Sequence, residues 1–347
     1  MREYQILFRL IGWLIFLWLG AAAGAQVTPV ADHHAHLQSP AAARLLNEAA
    51  RAHPEEADEQ KPLTANDLVS ALDAAGIQRS TALSEAYLLG TDLVHVPDEA
   101  KVVNEENEWT LGQVRQYPTR LVGFCSVNPL RAYARAAIEH CEQIGLRGGL
   151  KLHLATAHFR FENAEHVRQL RDIFREANRL RMPVLIHLHP DDENWNGKSS
   201  AQIFLNQVLP EAPDVPVQVA HMVGWGGYDR SSDDALSAFA DACEHRAPVC
   251  NRLYFDISGT IVPPLAPGAT PHGELRYVYE VLKSFPEGPA RIAANARRIG
   301  LNRILFATDW PVFTPKDYIK TLRTRLPLTP ADIDQIFRNT APYFRGW

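Results

Sequence analysis

The chain has 347 residues, of which 46% are hydrophobic and 22% charged, and its formal net charge is −5 at pH 7. This composition is typical of a globular protein with enough apolar material for a large core, and it excludes a disordered or fibrous chain. The sequence contains no basic block or stripe, so we expect no nucleic-acid partner.

The first 25 residues have the pattern of a secretory signal peptide. Arg2 and Arg9 precede the apolar run LIGWLIFLWL, and the small-residue site Ala23-Gly24-Ala25 precedes Gln26. The apolar run from residue 10 to residue 25 has 16 residues, fewer than the roughly 20 that a membrane-spanning helix needs. We therefore predict that residues 1–25 are removed and that residues 26–347 form one exported domain, periplasmic or secreted. The alternative is an uncleaved membrane anchor, the one case in which we expect membrane contact.

Eight short apolar or β-branched segments recur along the remaining chain, each ended by polar residues, glycine or proline, as buried strands are. They lie at residues 29–37, 79–86, 121–129, 148–154, 183–190, 216–224, 253–259 and 303–311. Helical periodicity between them is clear at 131–145 and 165–181. This alternation predicts an α/β fold, a parallel (β/α)8 TIM barrel in a single domain. An open doubly wound sheet is the rival, but no GxGxxG motif follows the first strand.

Two long connections interrupt the alternation, at residues 38–63 and 260–274. Long loops in a compact domain are either lids and binding loops or plain surface insertions.

The cysteines allow several arrangements. Export would place Cys125, Cys141, Cys243 and Cys250 in an oxidising compartment, and Cys243 and Cys250 could close a small loop. Four cysteines permit three full pairings, and four separate buried thiols fit as well, so no pairing is predicted. No CxxC spacing occurs, which argues against a cysteine zinc site.

Histidines collect at the predicted carboxyl ends of the strands. In the run from Asp32 to His36, the side chains of His34 and His36 are two positions apart and project to the same face. Other strand ends carry Lys151 and His153 (fourth), His187 and His189 (fifth), His221 (sixth) and Asp309 (eighth). Barrel enzymes hold their active sites on this face, and imidazole and carboxylate groups are good zinc ligands.

From this pattern we predict a metal site formed by His34, His36, His187 and Asp309. We interpret His153, His158 and His189 as hydrogen-bonded structural residues, with a place in the substrate pocket as the alternative for His189.

DxHxH on the first strand, IH on the fifth, AH on the sixth and TDWP on the eighth resemble the amidohydrolase superfamily. More narrowly, they are similar to its amidohydrolase-2 branch of metal-dependent hydrolases and decarboxylases. The likeness runs from about residue 29 to the C-terminus and includes the segment from Asn107 to Arg120 and a closing helix at 330–344.

The resemblance implies a distorted barrel with one or two divalent metals. His34, His36, His187 and Asp309 match the family's metal-ligand positions, and His221 matches a histidine that acts on substrate or binds a second metal. In some relatives a carbamylated lysine at the end of strand four bridges two metals, and Lys151 fits that position. We expect one ion, Zn²⁺, and two if Lys151 is carbamylated. An uncarbamylated Lys151 would either favour an anionic substrate group or pair with a neighbouring carboxylate.

These residues suggest a division of roles. A zinc ion lowers the pKa of its bound water to about 7, and Asp309 is suited to be both ligand and general base. His221 could polarise a carbonyl or protonate a leaving group. Asp32 is interpreted as a residue that accepts a hydrogen bond from a histidine ring N–H or stabilises the end of the first strand. Trp225 and Trp310 either line the substrate pocket or pack in the core.

The predicted function is a metal-dependent hydrolase acting on a C–O or C–N bond of a small-molecule substrate. One alternative is a non-oxidative decarboxylase of an unsaturated or aromatic acid, because the ligand set does not separate the two reactions. The other is a barrel that binds metal or ligand without turnover. The sequence leaves the substrate and a homo-oligomeric state open.

Overall fold

The structure is a computed structural model that describes residues 26–51, 59–92, 94–190, 195–224, 227–263, 265 and 273–344. The predicted signal peptide and Trp225 lie outside these residues. Within the described ranges, no helix is long and apolar enough to cross a membrane.

A parallel sheet forms the centre of the fold. Its strands are β1 (Ala31–Asp32), β2 (His36–Leu37), β3 (Arg79–Ser84), β4 (Leu121–Ser126), β5 (Gly149–His153), β6 (Val184–His187), β7 (Val217–Val219), β8 (Leu253–Asp256) and β9 (Ile304–Leu305). The strands follow one another in chain order from β1 and β3 to β9, and β2 also pairs with β3. Each of the eight predicted segments contains strand residues, so the predicted strand pattern is confirmed.

The segment between β1 and β2 closes the sheet into a barrel. There the backbone bonds to the end of the last strand: His33 N donates to Phe306 O at 3.1 Å, Asp309 N to His34 O at 2.9 Å, and His36 N to Trp310 O at 2.9 Å. β1 and β2 are therefore two halves of the first barrel strand, which explains why the predicted 29–37 strand is interrupted. The result is a nearly closed eight-stranded barrel, as predicted.

Helices connect the strands on the outside of the barrel. They are α1 (Pro40–Ala50), α2 (Ala65–Ala75), α3 (Ala86–Leu89), α4 (Glu99–Val114), α5 (Ala134–Ile144), α6 (Ala164–Arg179), α7 (Gly197–Ile203), α8 (Arg230–Glu244), α9 (Gly273–Ser284), α10 (Gly288–Ile299), α11 (Pro315–Arg325) and α12 (Pro330–Arg338). Short 3₁₀ helices include Pro248–Arg252 and Pro342–Phe344. Residues 220–223 form a tight turn in which His221, Met222 and Val223 have positive φ.

Local sequence signals explain several helix boundaries. α5 ends at Gly145, whose φ of 93° lies in the left-handed region. Glycine adopts this region easily because it has no Cβ. α6 begins after Asn163, whose side chain accepts from the backbone N–H groups of Glu165 and His166. The predicted helices at 131–145 and 165–181 are thus present with boundaries shifted by up to three residues.

Two predicted features differ from the structure. The connection at 38–63 contains α1, which starts at Pro40 after the capping residue Ser39. The closing helix predicted at 330–344 ends at Arg338, because Asn339 turns its side chain to the carbonyls of Leu301 and Ile304. Pro342 then opens a separate 3₁₀ turn.

The C-terminal segment fills one end of the barrel. Tyr343 and Phe344 pack in a cluster with side chains that include Ala31, Leu83, Phe124 and Leu305. A second, larger apolar cluster extends over the rest of the fold and includes Leu170, Ile173 and Phe174 of α6.

All four cysteines are paired. Cys125 of β4 bonds to Cys141 of α5, and Cys243 of α8 bonds to Cys250 in the following 3₁₀ helix. The Cα–Cα distances, 6.1 and 5.4 Å, are normal for disulfides.

Candidate metal centre

Two histidines of the first barrel strand and one aspartate after the last meet at one point. Asp309 Oδ1 lies 3.2 Å from His34 Nε2 and 3.1 Å from His36 Nε2. All three residues are buried. Zinc–ligand bonds of about 2.0–2.1 Å place neighbouring ligand atoms about 3.3 Å apart in a tetrahedral site. The observed spacing therefore fits one shared divalent ion.

The backbone that presents Asp309 is held in an unusual conformation. Asp309 has a φ of 59°, in the left-handed region that non-glycine residues adopt at a cost. Asp32 supports this turn from the first strand, because its carboxylate accepts from Thr308 Oγ1 at 2.5 Å and from the backbone N–H groups of Thr308 and His34, both at 3.1 Å. Burial raises the pKa of Asp32 to about 7. Asp32 therefore joins the two strands that carry the candidate ligands His34, His36 and Asp309.

Asp256, at the end of β8, is a site residue that sequence reasoning missed. Its Oδ2 lies 3.1 Å from His34 Nδ1, and its carboxylate also accepts from the Gln218 side chain at 2.7 Å and the Ser258 hydroxyl at 2.5 Å. Burial raises the pKa of Asp256, but His34 and the hydrogen bonds lower it further, so the pKa lies below its usual range. The available signal was an aspartate at a strand end, the same position that singled out Asp309.

Glu85 bears a similar relation to His36. Its Oε1 lies 3.4 Å from His36 Nδ1, and its other carboxylate oxygen accepts a hydrogen bond from the side-chain amide of Gln38. Glu85 follows β3, a strand end at which the sequence analysis named no residue.

Lys151 is buried in the same centre. Its side chain is 1% exposed, and its Nζ lies 2.8 Å from His34 Nε2. His34 Nε2 is therefore within contact distance of both Lys151 and Asp309.

His221 lies beside His34, with a ring-centroid distance of 4.8 Å. Its Nδ1 is 3.1 Å from Ser258 O and 2.9 Å from Ser258 Oγ, and its φ is 56°. Potential ligand atoms of His34, His221 and Asp256 form a second close group, next to that of His34, His36 and Asp309.

His187 is nearby but belongs to neither of these two groups. Its ring stacks on His153 at 3.9 Å and meets His221 at 5.0 Å. Its Nε2 is buried and has no hydrogen-bond partner among the described residues. His153 in turn stacks on Tyr87 at 5.0 Å.

Burial keeps four imidazoles of the centre neutral near pH 7, those of His34, His36, His153 and His187. Burial, together with the charge of Lys151, lowers the pKa of His34 to about 3. Burial likewise lowers the pKa values of His36, His153 and His187. Burial raises the pKa of Asp309, but the neighbouring His34, His221 and His36 outweigh this effect, so its pKa lies well below the usual range. Neutral imidazole and ionised carboxylate are the forms that bind metals.

The remaining predicted residues lie around this centre or apart from it. His189 Nδ1 donates to Pro190 O at 2.7 Å, and the ring lies 4.6 Å from that of Trp195. Trp310 is 8% exposed and packs in the larger apolar cluster. His158 is exposed and has a φ of 49°.

Comparison with known proteins identifies related sequences and folds. A family model described as amidohydrolase matches residues 31–342. No curated protein sequence matches the chain.

Several solved structures share the fold. A 2,6-dihydroxybenzoate decarboxylase from Rhizobium has a TM-score of 0.55 and 15% identity, covering 90% of this chain and 96% of its own. A 5-carboxyvanillate decarboxylase from Novosphingobium aromaticivorans with bound manganese has a TM-score of 0.54 and 13% identity, with coverages of 94% and 99%. A TIM-barrel protein from Bordetella bronchiseptica has a TM-score of 0.55 and 16% identity, with coverages of 88% and 95%.

Proposed function

Since the chain belongs to the amidohydrolase-2 family of metal-dependent hydrolases and decarboxylases, we propose that it hydrolyses a C–O or C–N bond of a small molecule. The observation that carries this proposal is the convergence of His34 Nε2 and His36 Nε2 on Asp309 Oδ1, at 3.2 and 3.1 Å. These three atoms offer lone pairs to one another in a buried site. Such an arrangement is unfavourable without a cation, and a shared metal ion would stabilise it.

The residues present fit a divalent ion. His34, His36 and Asp309 would hold it, and His187 is the proposed further ligand because its buried Nε2 has no hydrogen-bond partner among the described residues. Nitrogen and oxygen ligands of this kind suit zinc, and Zn²⁺ is the proposed ion. A second ion would require carbamylation of Lys151 and the use of His221.

When bound, the ion supplies a Lewis acid that lowers the pKa of a water molecule to about 7. Asp309 is ionised and accepts a proton from the attacking water at its carboxylate. His221 is held at Nδ1 by Ser258, which leaves Nε2 for the substrate carbonyl or the leaving group. The Lys151 amine provides a positive charge for an anionic part of the substrate.

Decarboxylation is the second candidate, and the buried Lys151 favours it. A cation that is 1% exposed next to the metal-site residues would bind the carboxylate of an acidic substrate. Carbon dioxide release from a carboxylated aromatic, without hydrolysis of esters, lactones or amides, would support decarboxylation and contradict the proposed hydrolysis.

The decisive experiment measures metal and turnover together. Protein purified without added metal is analysed for bound ions and assayed on panels of esters, lactones, amides and carboxylated aromatics, with and without chelator. We expect one equivalent of metal and an activity that chelation abolishes; two equivalents would support a bridging Lys151. A matched control is His95→Ala, which removes an exposed histidine. Metal binding without turnover on any panel would favour the non-catalytic barrel.

Export is also proposed. The two disulfides, Cys125–Cys141 and Cys243–Cys250, suit an oxidising compartment. N-terminal sequencing of the mature protein tests this proposal: we expect Gln26 first, and Met1 in a membrane fraction would contradict it.

A further inference from the structure

A buried hydrogen-bond path leads from the C-terminal segment to the metal site. Tyr343 Oη donates to Gln218 Oε1, Gln218 Nε2 donates to Asp256 Oδ2 at 2.7 Å, and Asp256 Oδ2 lies 3.1 Å from His34 Nδ1. None of the four residues is more than 8% exposed. The path therefore runs in the interior of the barrel, away from competing water.

The contacts of Asp256 determine which nitrogen of His34 carries the proton. Besides His34, the carboxylate faces only donors among the described residues: the Gln218 amide, the His221 and Ser258 backbone N–H groups and the Ser258 hydroxyl. An ionised carboxylate only accepts hydrogen bonds. His34 Nδ1 must therefore be the donor. In the neutral ring this leaves Nε2 unprotonated, so its lone pair accepts from Lys151 Nζ at 2.8 Å in the metal-free protein and is available to a metal ion.

The orientation of Gln218 is fixed by its partners at both ends. Its Nε2 donates to His33 O at 3.1 Å as well as to Asp256, while its Oε1 accepts from Tyr343. Without the Tyr343 hydroxyl, Oε1 would lose this partner in a buried position, which is costly. A flipped amide would then set an oxygen against the Asp256 carboxylate.

We propose that Asp256 is a positioning residue that holds the His34 ring and its tautomer. Tyr343 in turn holds the Asp256 carboxylate in place through the side chain of Gln218. The C-terminal turn Pro342–Phe344 thereby controls the metal affinity of a site at the other end of the barrel. This inference rests on the proposed function in so far as His34 binds the metal. Outer partners of metal-binding histidines typically change metal affinity by about 10- to 100-fold.

Two variants and a control test the proposal. Asp256→Asn keeps the shape of the side chain but places an amide NH₂ group among the N–H and O–H donors that surround the Asp256 carboxylate. Tyr343→Phe removes only a hydroxyl and leaves the ring contacts with Phe124 and Phe344, both at 5.1 Å. Tyr254→Phe is the matched control, because Tyr254 packs against the same apolar cluster but has no place in the path.

The first readout is the metal dissociation constant of the full chain, measured by competition with a chromogenic chelator. We expect Asp256→Asn to weaken zinc binding by about 10- to 100-fold and Tyr343→Phe to weaken it by a smaller factor, with Tyr254→Phe equal to wild type. The melting temperature of metal-free Tyr343→Phe is expected to fall below that of Tyr254→Phe, because the buried Gln218 Oε1 loses its partner. A merely structural role of the hydroxyl would lower the melting temperature and leave the zinc dissociation constant unchanged. Wild-type affinity in both path variants would overturn the proposal.

The second readout does not need metal. In metal-free protein with ¹⁵N-labelled histidine, NMR reports the tautomer of His34 directly, and His34→Gln assigns the signal. We expect the Nδ1–H form in wild type and its loss in Asp256→Asn. An Nε2–H form in wild type would refute the role of Asp256, whereas an Nδ1–H form in a protein that binds no zinc would count against the proposed function alone.

Discussion

Asp309 combines a proposed ligand position with a backbone conformation that few side chains tolerate. Asparagine adopts the left-handed region more readily than alanine does, so Asp309→Asn removes the charge while preserving the turn. We expect this variant to lose metal, and its kcat to fall by at least about 100-fold, because it lacks both a ligand and a general base.

Metal analysis and steady-state kinetics measure these effects. Asp309→Ala serves as the comparison and is expected to lower the melting temperature of the metal-free protein as well. Undiminished metal content in Asp309→Asn would remove Asp309 from the ligand set.

His33 determines part of the acid sensitivity of the fold. Its Nδ1 is bonded to Phe306 O at 2.8 Å and its Nε2 accepts from Ala341 N at 3.2 Å, and burial lowers its pKa from 6.5 to about 4. Between these values the unfolded chain binds a proton at His33 that the folded chain does not bind. The free energy of unfolding therefore falls as the pH is lowered through this window, by about 3 kcal/mol from His33 alone.

His33→Asn isolates this contribution, because asparagine can still donate to Phe306 O but does not titrate. We expect the stability advantage of wild type over the variant to shrink by up to about 3 kcal/mol between neutral pH and about pH 4. Urea unfolding of both proteins across this range measures the difference. A pH-independent difference would mean that the pKa of His33 is the same in the folded and the unfolded chain.

Residues differ in how far the sequence predicts them. His34, His36 and Asp309 stand at strand ends in recognisable motifs, and the structure places both histidines within 3.2 Å of Asp309 Oδ1. Asp256 and Glu85 contact His34 and His36 although they lie far from them in the sequence. The apolar pattern that identifies one strand does not show which residues of other strands its side chains will meet. A systematic list of carboxylates at strand ends would have included Asp256.

At the scale of elements, strand positions are easier to predict than helix ends. The apolar segments are buried on both faces of a parallel sheet, so their composition identifies them. Helix ends depend on single side chains, as Ser39 at α1 and Asn339 at α12 illustrate. The break between β1 and β2 depends on bonds to residues 306–310, which no local pattern contains.

The disulfide between β4 and α5 stabilises this pair of elements. Cys125 and Cys141 are 16 residues apart, and a closed loop of about that length contributes about 3 kcal/mol to stability. We expect the double variant Cys125→Ala/Cys141→Ala to lose about this much, because alanine fills most of the buried thiol space without adding a polar group.

Denaturant unfolding of the oxidised proteins tests this, with reduced wild type as the control for the covalent bond itself. Equal free energies of unfolding for oxidised and reduced wild type would show that the Cys125–Cys141 bond contributes nothing to stability. The metal dissociation constant is expected to be unchanged in the double variant.

For the whole molecule, metal binding and folding are coupled. The site joins both ends of the described chain, so unfolding destroys it and bound metal stabilises the fold. At a free zinc concentration of 100 times the dissociation constant, the gain is about 2.7 kcal/mol. We expect the melting temperature of wild type to rise with zinc and that of His34→Ala/His36→Ala to stay constant. An equal rise in both proteins would place the stabilising ion elsewhere.

The closure of the barrel also has a consequence for biosynthesis. The backbone groups of residues 33–36 find their partners only when residues 306–310 have been made. A growing polypeptide on the ribosome therefore lacks part of the proposed coordination centre until Asp309 has been synthesised. On this proposal the ion is acquired only after that point, once the first and last strands of the barrel have paired.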